Sequence, residues 1–237
     1  MRVSSILASS FVFFAASGGA FAQDMSGPAF DWSGIYVGGT VGGFSGEMIE
    51  SDIMMDDMLV PFEPLSFDLD ELALGVTAGA NMQMGHLVLG VEADYNWINA
   101  EDVADRSQTG DAFIVSVNLK QLATLRARAG FAYENILFYA TGGLAIAEAE
   151  GHVSDIYQRG TYSYSDSQSF LGWVAGAGVE VAVTEQISLK GEALYQDLGS
   201  RTYTFRPSDT DDVSYDQITA EGALRGWTAR VGLNFRF

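Results

Sequence analysis

The chain ends in GWTARVGLNFRF, Gly226 to Phe237, and this stretch limits what the rest can fold into. Strand side chains point alternately to opposite faces, so Trp227, Ala229, Val231, Leu233, Phe235 and Phe237 share one face, and Thr228, Arg230, Gly232, Asn234 and Arg236 share the other. One face is wholly apolar. The opposite face carries arginines and an asparagine, the pattern of a strand set between lipid and a polar interior.

The other end of the chain bears on compartment. Arg2, the apolar run Ile6 to Ala16 and the Ala20-Phe21-Ala22 triplet form the three parts of a secretory signal, with cleavage expected after Ala22. Residues 1–22 are therefore assigned to a signal peptide and residues 23–237 to one domain. The apolar run is shorter than the ~18 residues a spanning helix needs, and no later stretch reaches that length. The formal charge of −19 excludes nucleic acid as a partner, because its phosphates would be repelled. With no cysteine, a disulfide framework and a thiolate metal site are both excluded.

Alternation recurs along the whole chain. Eight strands are expected, over Trp32 to Gly46, Glu71 to Met84, Leu87 to about Ile98, Val115 to Tyr133, Ile136 to Glu150, Ser169 to Val183, Ile187 to Thr204, and Gly226 to Phe237. Their connections alternate in length. Gly85-His86, Glu134-Asn135 and Thr184-Glu185-Gln186 are tight turns, whereas Glu47 to Asp70, Asn99 to Asp111, Gly151 to Gln168 and Arg206 to Glu221 read as long, polar and mostly acidic loops. An even number of antiparallel strands, with short turns at one end and long loops at the other, is the organisation of an outer-membrane barrel. The expected fold is all-β, an eight-stranded antiparallel up-and-down transmembrane β-barrel.

A soluble barrel shares this period, so the content of the polar face has to decide between the two. That face is mainly Gly, Thr, Asn and Gln with a few charges of both signs, not the dense Lys and Glu of a solvated surface. Its charges also have partners: Glu92 and Asp94 share a side with Arg126 and Arg128 on the next strand, and Lys190 and Glu192 share one with Glu180 and Arg230. Lys120 falls on the same parity as Arg126 and joins the expected interior network. Buried ions persist only when paired, so a packing role in a closed interior is expected. On the apolar face, Phe131, Tyr133, Phe138, Phe235 and Phe237 gather at the turn end, and Tyr95, Trp97, Trp173, Tyr195 and Trp227 at the loop end, as two girdles. Trp32 fits the turn-end girdle by height but not by parity.

Little in the sequence suggests chemistry. The two histidines, His86 and His152, lie at opposite ends of the expected barrel, and no G-x-S-x-G stretch accompanies them. Glycine strings such as Tyr36-Val37-Gly38-Gly39 lack the strand-to-helix setting of a dinucleotide site and suit crowded interior positions. The acidic clusters Asp52, Asp56, Asp57 and Asp209, Asp211, Asp212 lack calcium-loop spacing and read as solvated charge. No catalytic, metal-ligating or cofactor-binding set is expected.

Several strings resemble the opacity-type, porin-like surface antigens of alphaproteobacterial outer membranes, which have OmpA-like eight-stranded barrels. They are Asp31 to Gly39, Arg126 to Gly130 leading into Tyr139 to Gly143, Gly172-Trp173 with Gly176 to Glu180, Leu189 to Tyr195, and Arg230 to Phe237. Their order covers most of the expected strands, while Glu47 to Asp70 departs from the family pattern. The resemblance implies an integral outer-membrane protein of a Gram-negative bacterium with both termini in the periplasm. It also implies that Phe235 and Phe237 are read by the barrel-assembly machinery. The expected role is structural and antigenic, the acidic loops meeting lipid and lipopolysaccharide through divalent cations. The alternatives are a narrow porin for small solutes and an adhesin or receptor acting through residues 47–70 and 206–221 on a surface ligand of unknown kind.

Overall fold

The computed structural model describes residues 30–55, 58–59, 65–105, 113–155, 162–205 and 218–237. The expected signal, with Ala20 and Ala22, lies outside the described residues. Eight long strands run antiparallel in chain order: β1 (Gly34–Met55), β2 (Leu65–Met84), β3 (Leu87–Asp105), β4 (Phe113–Tyr133), β5 (Ile136–Asp155), β6 (Tyr162–Ala182), β7 (Ile187–Phe205) and β8 (Ile218–Arg236). Pairing of β1 with β8, from Tyr36 opposite Arg236 upward, closes them into a barrel. A two-residue strand, Met58–Leu59, adds to the top of β1.

The strands outrun their expected bounds at the loop end. Each has 19 to 22 residues, about twice the ~9–11 that cross a bilayer. Much of the sequence expected as loop is ladder: Glu47 to Met55 pairs with β8, Leu65 to Asp70 with β1, and Gly151 to Asp155 with β4. Acidic residues are compatible with strand wherever their side chains reach water, so charge marked the end of the lipid band and not the end of the strand.

Alternation sorts the side chains as the sequence requires. Ile35, Leu72, Val91, Leu125, Leu144 and Val231 point outward with half or more of their surface uncovered, which in an isolated molecule marks a wall meant for lipid. Tyr95, Trp97, Trp173, Tyr195 and Trp227 form one girdle, the last three in continuous ring contact. Phe131, Tyr133, Phe138, Phe235 and Phe237 form the other. Trp227 and Phe235 are eight residues apart on β8. That is about 26 Å along a strand and about 20 Å in height at a tilt of ~40°, close to the apolar band of such barrels.

The ladders do not all reach the same height. Pairing of β2 with β3 stops at Leu74 opposite Trp97, and pairing of β6 with β7 at Trp173 opposite Asp197, both at the upper girdle. The other six ladders continue beyond it. The barrel is thus closed across the lipid band and divides above it into two four-stranded sheets, β7-β8-β1-β2 and β3-β4-β5-β6. Lipid cannot satisfy unpaired backbone groups, whereas water can, so closure is obligatory only within the band.

Candidate functional site

The lumen is filled in three layers. At the turn end Trp32, Val88, Ala132, Leu137, Tyr139 and Ala182 pack together with Phe30 against them. Gly34, at φ +123°, turns the preceding residues in under the barrel. The Trp32 amide donates to Gln83 Oε1 at 2.6 Å, the Gln83 amide to Ser33 Oγ at 3.0 Å, and Arg236 to the Asp31 carbonyl at 2.5 Å. The Arg236 guanidinium also stacks over Phe30 and Trp32, at 4.7 and 5.0 Å from the ring centroids. Hydrogen bonds from the Ser33 amide and hydroxyl hold the Asp31 carboxyl below the usual carboxylate range. Trp32 is therefore an interior plug, not a girdle residue.

At the loop end, inward residues of all eight strands, among them Phe44, Met48, Leu69, Leu119, Phe170 and Leu224, form a larger apolar core between the two sheets. Between these layers lies the ionic one. It contains Glu92, Asp94, Glu180 and Glu192 with Arg126, Arg128, Lys190 and Arg230, four carboxylates against four cations, all nearly inaccessible to solvent.

Arg126 on β4 meets Glu92 and Asp94 of β3 at 2.5 and 2.8 Å and Glu192 of β7 at 2.8 Å. Arg230 on β8 bridges Asp94 at 3.0 Å and Glu192 at 2.7 Å. Arg128 holds Glu180 at 2.8 Å, and Lys190 crosses to Glu92 at 2.8 Å although its ladder partner is Glu180. Neutral donors take up remaining lone pairs: Tyr36 to Glu92, Thr124 to Asp94, and Ser188 and Asn234 to Glu180. Such dense pairing is what a desolvated ion cluster needs, since removing one partner leaves an uncompensated charge, although Arg128 Nε has no hydrogen-bond partner.

Glycines make room for it. A Cβ at Gly79 would lie 2.4 Å from the Tyr36 ring, and one at Gly178 2.5 Å from the ring of Tyr139, over which Arg128 stacks at 4.2 Å.

Eight of the nine charges expected inside are brought together. Lys120 is not among them. One extra residue on β4 between Leu119 and Gln121, relative to β5, reverses the parity there. Leu119 is consequently buried although the alternation set it on the outer face, while Lys120 points outward, nearly half exposed, and pairs with Glu150. Of the neutral members, Asn234 already stood on the polar face of the last strand, and Thr124 and Ser188 share parity with inward charges on their own strands, whereas Tyr36 and Tyr139 lie on strands that carry no buried charge among the described residues. His86 sits in a turn, its ring stacked on Phe131 and Nδ1 within 2.9 Å of the Ala132 carbonyl. Among the described residues no three or more His, Cys, Asp and Glu side chains are arranged to hold a metal ion.

A closed eight-stranded wall with an outward apolar band and an ion-paired lumen is the architecture of an outer-membrane barrel, and comparison with known proteins agrees. The model of the outer membrane protein beta-barrel domain matches residues 8–237. The chain belongs to that family. Members are outer-membrane proteins of Gram-negative bacteria, and this barrel is one of them. It is 32% identical over 219 residues to a 31 kDa outer-membrane immunogenic protein of Brucella melitensis, with 88% of this chain and 85% of the relative covered. It is 28% identical to a 22 kDa outer membrane protein of Rhizobium leguminosarum, with 89% and 80% covered. In fold alone it is similar to OprG from Pseudomonas aeruginosa, at TM-score 0.59 and 12% identity, covering 88% of this chain and 98% of that one. The protease OmpT from Escherichia coli has the same TM-score at 11% identity, covering 86% and 97%.

Proposed function

We propose that this barrel is a structural, non-enzymatic surface antigen that does not conduct solutes. In this reading its strands cross the bilayer eight times, its short turns and both chain ends face the periplasm, and the acidic two-sheet extension faces outward. The observation that carries the proposal is the three-layer lumen, in which a densely ion-paired layer lies between two apolar ones that interrupt any polar path. The likeness to OmpT concerns fold only. The immunogenic relatives support surface display, and the division of the barrel at the upper girdle supports the outward orientation of that end.

Two partners belong to the same reading. The acidic extension meets lipopolysaccharide phosphates through divalent cations, and the exposed ring pair Phe235 and Phe237, with centroids 5.3 Å apart, is read by the barrel-assembly machinery. Conductance of the refolded protein in a planar bilayer tests the central statement. A silent barrel is expected; steady channels whose conductance changes on Arg126→Ala or Glu92→Gln substitution would overturn it.

A further inference from the structure

The opening between the two sheets at β2 and β3 differs chemically from its counterpart at β6 and β7. Continuing the register of Leu74 with Trp97 would set Asp70 opposite Glu101. Like charges directly opposite each other disfavour pairing, so this ladder ends on electrostatic grounds. Glu71 and Asp102 lie beside them, and in place of a ladder bond the Asp102 carboxylate accepts from the Asp68 amide at 2.9 Å. At the second opening Gly199, at φ +67°, carries the irregularity, and Arg201 donates to the Ser169 carbonyl. One slot is acidic; the other is not.

The two edges of the acidic slot also differ. β3 is kinked by a register shift between Trp97 and Ala100, which blunts an edge against pairing. β2 keeps an unbroken register with β1 from Ser45 opposite Asp70 to Gly42 opposite Ala73, and beyond in both directions. Its other edge, above Leu74, has no ladder partner among the described residues. A regular strand edge is a template for an added strand, with backbone bonds supplying affinity and side chains selecting the sequence.

We propose that the edge of β2 above the girdle, from Asp68 to Ala73, binds an extended Lys- or Arg-rich polypeptide as an added strand. Such a guest takes over the Asp68 and Leu72 amides, which now donate to the Asp102 and Glu71 carboxylates at 2.9 and 3.1 Å, and its cations pair with the carboxylates it displaces and with Asp70 and Glu101. The repulsion that ended the β2–β3 ladder becomes the attraction that admits the guest. The inference borrows from the proposed orientation only its reach to molecules outside the cell, so the two are tested separately.

The probe is a fluorescent ten-residue peptide alternating Lys and Thr, titrated against the full chain refolded in lipid nanodiscs. Saturable binding is expected, with slowed amide exchange along β2 from Asp68 to Ala73 and unchanged exchange on β6. The triple variant Asp70→Asn, Glu71→Gln, Glu101→Gln should weaken binding about tenfold or more, as should N-methylation of every second peptide amide. All three substituted side chains are exposed, so the variant is expected to fold, and its heat-induced shift on a gel verifies this. Absence of binding, equal binding of the N-methylated peptide, equal protection on β6, or concentration-dependent self-association that excludes the peptide would each overturn the proposal. Orientation is read independently: the chain has no cysteine, so Val103→Cys on whole cells reports through a membrane-impermeant maleimide.

Discussion

Arg126 and Glu192 meet at 2.8 Å across the lumen although their strands, β4 and β7, are not neighbours in the barrel. That contact ties opposite walls together, and through Glu92, Asp94 and Arg230 it joins four strands in one cluster. Replacing Arg126 by methionine keeps the bulk and leaves three carboxylates short of a cation. We expect a loss of about 3–5 kcal/mol, read as a lowered urea midpoint for the protein refolded into lipid vesicles. Lys120→Ala is the control. Its pair with Glu150 faces outward and is partly solvated, so the midpoint should hardly move. Equal effects of the two substitutions would mean that the lumen cluster contributes no more than a surface pair.

Trp32 is fully buried under the barrel with Val88, Leu137 and Tyr139, clasped by Arg236 from the last strand. Truncation to alanine removes the largest side chain of that layer, and a cost of about 3–5 kcal/mol is expected in the same urea experiment. Conductance gives a second readout. The ionic layer above it remains, so Trp32→Ala should stay silent in a bilayer; an open channel would show that the plug, and not the ions, closes the lumen.

The strand count, both girdles and eight charges of the lumen were legible because each depends only on period-two alternation. Lys120 was not, since a single inserted residue reverses the faces and leaves no compositional mark. Trp32 was ambiguous for a related reason: it precedes β1, where strand parity has no meaning, and its inward course depends on the turn at Gly34. Strand length was underestimated at the acidic ends, because a ladder in water tolerates charge that a lipid-facing one does not. The split into two sheets is the least local feature. Its acidic half is written in Asp70 and Glu101, residues whose opposition becomes visible only once the register is known.

Phe235 and Phe237 lie on the outward face of β8 at the turn end, 39% and 76% exposed. If they are read by the assembly machinery, Phe235→Ala combined with Phe237→Ala should reduce outer-membrane insertion in cells several-fold. The same variant should still fold in detergent, because the rings contribute little to the lumen. Normal insertion in cells would remove the signal role, and failure to fold in detergent would reassign the pair to stability.

The height of the lipid band is tested on one strand. Val91 and Val103 both point outward from β3, 56% and 51% exposed, and are indistinguishable by exposure alone. They stand on opposite sides of Trp97, and the twelve residue steps from one to the other span about 40 Å of strand, or about 30 Å of height at a tilt of ~40°. Val91 then lies among acyl chains and Val103 in water above the girdle. Val91→Arg should cost about 2–4 kcal/mol in vesicle-refolded protein, against about 0–1 for Val103→Arg. Detergent micelles adapt to a charge better than a bilayer does, so the gap should narrow there. Equal costs in vesicles would place both residues at one depth, and the division of the barrel into two sheets would then lie inside the membrane, where unpaired edges cannot persist.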